Sequence, residues 1–89
     1  MLTREVTVRN RAGVHTRPAS MIVREAARFD ADFYIKKDGY EINGKSIIGV
    51  MTLAAEQGAT LELQFEGSDE AEAADALEAL FENGFGEPV

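Results

Sequence analysis

Thr60-Leu61-Glu62-Leu63-Gln64-Phe65-Glu66 alternates without a break, with Leu61, Leu63 and Phe65 on one side and Glu62, Gln64 and Glu66 on the other. Side chains of a strand point to opposite faces in turn, so this segment is a strand with one dry and one wet face. A wet face belongs to an antiparallel sheet covered on one side only. Working outward, residues 2–8 read as a strand with Val6 and Val8 sharing a face. Residues 32–37 form another, with Phe33 and Ile35 inward. Asp38-Gly39 is a two-residue hairpin turn, after which Tyr40 to Ile42 return as a short third strand.

Helical spacing fills the gaps. Ala19, Ile22, Val23, Ala26 and Phe29 recur at the period of a helix that runs to about Arg28. Asn43-Gly44 turns the chain into a short helix starting near Ser46, and Gly58 closes that region. Ser68 is the expected cap of a last helix, with Asp69 and Glu70 in its first turn. Ala73, Leu77, Leu80 and Phe81 form its buried stripe, and Gly84 suits the position just past its end. Residues 86–89 are expected to fray. The order βαββαβα points to an α+β, two-layer open-faced sandwich with its helices on one face of an antiparallel sheet. Periodicity leaves the strand order open.

Composition narrows the function. The 89 residues suit one domain, 1–89, with 45% hydrophobic residues for a modest core. There is no cysteine, so no disulfide or thiolate metal site forms, and no run is long enough to cross a membrane. A cytoplasmic protein without membrane insertion is the expectation. All nine Lys and Arg lie in residues 1–45, whereas residues 46–89 carry ten acids and no basic side chain. The net charge of −7 argues against general nucleic-acid binding. The local basic stretch favours phosphate or acidic protein partners. In the last helix Asp75, Glu78 and Glu82 stand three and four residues apart, each like-charged pair costing roughly 0.2–0.5 kcal/mol.

Gly13-Val14-His15-Thr16-Arg17-Pro18-Ala19 holds the only histidine, at the start of the first helix. Pro18 suits the first turn, where a missing N–H is harmless. Unpaired N–H groups and the helix dipole at such an end attract anions, phosphate above all. Arg17 adds a guanidinium fork matched to phosphate oxygens. The segment resembles the active-site run of the HPr family, the histidine-containing phosphocarriers of the bacterial sugar phosphotransferase system. Gly44-Lys45-Ser46-Ile47-Ile48-Gly49-Val50-Met51-Thr52-Leu53-Ala54 resembles that family's second signature, around a regulatory serine. Thr16 departs from the commoner alanine, without consequence if the backbone N–H is what matters.

The resemblance implies a sheet order of 1-4-2-3 and a relay. Phosphorylated enzyme I would pass a phosphoryl group to Nδ1 of His15, which would pass it to the IIA unit of a sugar permease. His15 and Arg17 would carry the chemistry, and the N–H groups of Thr16 and Arg17 would hold the phosphate. Ser46 would be the target of an HPr kinase/phosphorylase, its phosphate read by a catabolite-repression transcription factor. The chain is read as a monomeric carrier with no metal or cofactor, rather than a self-sufficient enzyme. On a helical wheel Val50 and Leu53 face one way and Ile48 and Met51 the other, with Ile47 between. Met21 falls outside its own helix's apolar stripe, beside Arg17, Ser20, Arg24 and Arg28. Scattered surface hydrophobes are ordinary, but ringed by arginines they suit docking. The expected partner surface is Thr16, Arg17, Ser20, Met21, Arg24, Ile47, Ile48, Met51 and Thr52. A nitrogen-regulatory phosphocarrier of the same fold and a small-ligand regulatory domain stay open as alternatives.

Overall fold

The computed structural model describes residues 1–89. The elements are β1 (Leu2–Thr7), α1 (Thr16–Ala26), β2 (Asp32–Lys37), β3 (Tyr40–Asn43), α2 (Ile47–Thr52), β4 (Thr60–Glu66) and α3 (Glu70–Glu82), followed by a 3-10 turn, Gly84–Gly86. The four strands form one antiparallel sheet in the order β1-β4-β2-β3. β4 lies inside this sheet, which is why it shows the longest clean alternation.

Register places the inward residues in rows. Val6 lies opposite Leu61, Ile35 opposite both Leu63 and Ile42, and Phe33 opposite Phe65. The Phe33 and Phe65 rings stack, with centroids 4.7 Å apart. Onto this face pack Ala19, Ile22 and Ala26 of α1, Val50 and Leu53 around α2, and Ala73, Ala74, Leu77 and Phe81 of α3. Each large buried side chain is worth roughly 1.5–3 kcal/mol relative to leaving it in water. Asp38 (φ 50) and Gly39 (φ 85) are both left-handed, the geometry that matches a tight turn to the twist of its strands.

Several boundaries depart from expectation. β1 ends at Thr7, although Val8 remains buried and still exchanges hydrogen bonds with Gly58 and Ala59. β3 continues to Asn43, paired with Tyr34. α1 stops at Ala26, because Arg28 and Phe29 bond to Glu25 and Ala26 in tight three-residue turns that fold Phe29 back onto the core. Ser68 does not cap α3. Asp69 occupies the cap position and turns its carboxylate away, accepting the Asp30 and Ala31 N–H groups at 2.8 Å each. It thereby ties the α1–β2 loop to the start of α3. These two bonds, the one from Asp30 foremost, hold the Asp69 carboxyl below its usual range.

The acidic helix and the tail also differ. Arg4 on β1 reaches both Asp75 (3.1 Å) and Glu78 (2.7 Å), so one of the two repulsive spacings on α3 is bridged by a cation from the sheet. Asn83 closes α3 and Gly84 follows with φ 58, as the C-terminal position requires. The end of the chain does not fray. Phe85 adopts a left-handed backbone (φ 56) and buries its ring edge-on to Phe81, 5.0 Å between centroids. Beyond it the Pro88 carbonyl accepts the Arg11 N–H at 2.8 Å. A left-handed Phe costs roughly 1–2 kcal/mol, which burial of its ring offsets.

Candidate functional site

The loop from β1 to α1 is shaped by Asn10 and Gly13. Asn10 is fully buried, and its Nδ2 donates to the Gly13 carbonyl (2.8 Å) and to Glu87 Oε1 (2.9 Å). Gly13 is left-handed (φ 72), and a Cβ there would lie 2.7 Å from the Ala55 carbonyl oxygen. Only glycine fits both conditions. The Val14 N–H donates to that same carbonyl, pinning the loop to the segment between α2 and β4.

His15 follows as the N-cap of α1, with extended backbone (φ −89, ψ −166) and no side-chain capping bond. Its carbonyl accepts the Ala19 N–H, the first bond of the helix. The N–H groups of Thr16 and Arg17 therefore have no carbonyl behind them within the helix, and Pro18 has no N–H. Two anion donors and the positive helix end lie next to the imidazole. The ring is 44% exposed.

One side of this ring is covered by the tail. His15 Nε2 lies 2.9 Å from Glu87 Oε2 and 3.0 Å from Oε1. Arg17 Nη1 donates to Glu87 Oε2 and to the Phe85 carbonyl, both at 3.0 Å. The Glu87 carboxyl is held below the usual range, first by its hydrogen bond with His15, then by Asn10, against burial, with Arg17 adding to the effect. Nothing gathers three His, Asp or Glu side chains as a metal site would. His15, Thr16 and Arg17 thus stand together as the sequence suggests, while Glu87, Asn10 and Phe85 join them unannounced. The available signal was Phe85, a large apolar residue set between two glycines near a polar end.

Comparison with known proteins accords with this geometry. Residues 2–83 match the family described as PTS HPr component phosphorylation site. The phosphocarrier protein HPr of Treponema pallidum is 51% identical over 87 residues, covering 98% of this chain and 99% of that protein. The chain belongs to the HPr phosphocarrier family. The HPr-like protein Crh of Halalkalibacterium halodurans is 45% identical over 92% of this chain and 98% of its own length. Among solved structures, HPr-C-His from Thermoanaerobacter tengcongensis superposes with a TM-score of 0.95 at 39% identity, covering all of both chains.

The second HPr signature forms α2. Ser46 is its N-cap, its Oγ accepting the Gly49 N–H at 3.1 Å. Val50 and Leu53 are buried, whereas Ile48 is 73% exposed and Ile47 and Met51 are exposed beside it. Thr52 is exposed and spends its hydroxyl on the Gly49 carbonyl. α1 packs against α2. On α1, Arg17 and Arg24 are exposed and Ser20 is half-buried. Met21 corrects the wheel: it is half-buried and packs on the core. No helix is long and apolar enough to cross a membrane.

Proposed function

We propose that this chain, as one HPr-like domain over residues 1–89, carries a phosphoryl group on His15 between proteins of the phosphotransferase system. The supporting observation is the lone histidine at the N-cap of α1, free of any capping bond, with Arg17 beside it. Phosphorylated enzyme I is the donor and the IIA unit of a sugar permease the acceptor, in the cytoplasm. The ring attacks phosphorus with a nitrogen lone pair. The Thr16 and Arg17 N–H groups and the guanidinium then offset the charge that arrives. Such transfer needs little beyond positioning and charge stabilisation.

Docking uses the exposed edge of α2, with Ile47, Ile48, Met51 and Thr52, and the neighbouring Thr16, Ser20, Met21 and Arg24 of α1. Ser46 is a regulatory site for an HPr kinase/phosphorylase, whose product a catabolite-repression transcription factor recognises. A solved relative described as Crh, the Bacillus subtilis catabolite repression HPr, is 41% identical over 90% of this chain and supports this second role.

Incubation with enzyme I and labelled phosphoenolpyruvate tests the reading. Wild type should gain acid-labile phosphate, and His15→Ala should fold normally and gain none. Label on the Ala variant would assign the phosphate to another residue.

A further inference from the structure

The β2–β3 hairpin runs past the helical layer. Ile35 and Ile42 lie opposite each other on the dry side of the sheet. Lys37 and Tyr40 are the next pair on that same side, toward the turn. Residues there are ordinarily covered, but α2 ends at Thr52 and leaves Tyr40 75% exposed. Between the hairpin and the end of α2 lies a cleft of about 460 Å³, lined by Lys37, Asp38, Tyr40, Ile42, Thr52 and Leu53. Lys37 is the one cation in it, and its ammonium stands 3.5 Å from the Asp38 carboxylate, which is 82% exposed. So exposed a pair holds little, and the ammonium stays open to another carboxylate.

Register sets this cleft at the His15 end of the molecule. β1 runs into the loop carrying His15 just past Thr7, which pairs with Thr60. β2 runs into the hairpin just past Lys36, which pairs with Glu62. Both connections leave the sheet where β4 begins. The chain after α2 joins them: Leu53 lines the cleft, and two residues on the Ala55 carbonyl accepts the Val14 N–H beside His15. Thr52 belongs both to the cleft and to the docking edge of α2, next to exposed Met51. A partner matched to the exposed Arg17 and Arg24 of α1 is acidic there. Lys37 carries the same sign to the other flank of α2.

We propose that this cleft is a second foothold for the protein that docks on α2, enzyme I, taking one of its apolar side chains against Tyr40 and a neighbouring carboxylate against Lys37. The proposal rests on the docking reading given above and deepens it. A lone exposed tyrosine is ordinary; this one stands on the dry side of a sheet over an apolar cleft that nothing fills. Tyrosine suits such an anchor, because it brings a large ring with a polar tip. The cleft takes no part in the chemistry at His15, so it acts on binding and leaves the chemical step alone.

Amide shifts and steady-state rates test this. On titration of the ¹⁵N-labelled wild type with enzyme I, the amides of Asp38, Gly39 and Tyr40 should move together with those of α2. In transfer from phosphorylated enzyme I, Tyr40→Ala should raise KM roughly tenfold with kcat unchanged. Tyr40→Phe keeps the ring and should keep KM near wild type. Lys37→Gln should raise KM at low salt and match wild type at high salt, where the contact is screened in both. Tyr34→Ala, which removes the half-exposed tyrosine of the wet face, should leave KM as it was. Hairpin amides that stay still while those of α2 move, a wild-type KM in Tyr40→Ala, or an equal rise in Tyr34→Ala would overturn the proposal and leave the docking reading standing. If enzyme I moves no amide of α2 and transfers no phosphate to wild type, the docking reading itself falls, and the foothold with it.

Discussion

Arg17 Nη1 and Glu87 Oε2 meet at 3.0 Å across a separation of 70 residues. The contact closes the end of the chain over the start of α1, so the terminus belongs to the same structural unit as His15. Buried Phe85 and the Arg11–Pro88 bond hold it on either side, and between them stands one partly shielded carboxylate, which makes the arrangement sensitive to acid.

The sign follows from the direction of the shift. The Glu87 carboxyl is depressed below its ordinary value of 4.5, chiefly by His15 and then by Asn10. A depressed carboxyl contributes stability above its unfolded pKa and loses it as pH falls through the folded one. Docking of residues 86–89 should be intact at neutral pH and fail in acid, below pH 4.5. Amide shifts of Gly86 and Val89 followed from pH 7 downward give the measurement. Asp69 is also depressed, but it acts on the α1–β2 loop, so Glu87→Gln should remove only the tail's response. A tail that titrates identically in the Gln variant would trace the transition to some other group.

Screening offers a second test. Moderate NaCl should raise the melting temperature of this chain, since its charge is −7 and Glu78 and Glu82 still repel on α3. Arg4 already relieves the Asp75–Glu78 spacing. Arg4→Ala should therefore lower the melting temperature at low salt and enlarge the gain on adding salt. Equal salt responses in the two proteins would mean that the bridge does not moderate α3.

These differences show where a sequence speaks and where it falls silent. β4 was legible because its neighbours bury one face and leave the other wet, which writes alternation directly into residues 60–66. Asp38-Gly39 was legible because few residue pairs tolerate two left-handed conformations in a row. His15 and Ser46 were legible as helix starts, and the family signatures supplied the sheet order that periodicity cannot. Arg4 with Glu78 and Arg17 with Glu87 were not legible. Each joins residues about seventy positions apart through one side chain, and no local pattern records such a meeting. The tail read as frayed because Gly86, Glu87 and Pro88 carry no periodicity. Its anchor is a buried Phe85 in a left-handed conformation that a bulky residue seldom adopts.

The proposed docking surface separates from the core within one short helix. Ile48→Asp should leave the fold intact, because the side chain is 73% exposed, yet weaken enzyme I binding by placing a carboxylate in an apolar contact. Val50→Asp is the contrasting variant. Val50 is buried, so the same change there should destabilise by more than about 2 kcal/mol. NMR titration of wild type with enzyme I should shift amides of α1 and α2. Shifts confined to α3 or to the open sheet face would show the surface to be misplaced.

Ser46 gives the sharpest test of its structural role against the proposed regulatory one. Its Oγ accepts the Gly49 N–H, so its structural role is that of a cap. Ser46→Ala should cost about 1 kcal/mol through loss of that bond. Ser46→Asp should cost much less, because aspartate caps helices as well as serine does. A phosphate would add roughly two negative charges beside Ile47 and Ile48, and aspartate supplies one of them. Ser46→Asp should then accept phosphate from enzyme I more slowly than wild type despite near-normal stability, whereas Ser46→Ala should be less stable yet transfer normally. The contrast should be largest at low ionic strength, where charge is least screened. Single-turnover rates and melting temperatures of the two variants, measured side by side, decide it. If Ser46→Asp transfers as fast as wild type at low salt, negative charge at this position does not oppose docking, and the serine is a cap alone.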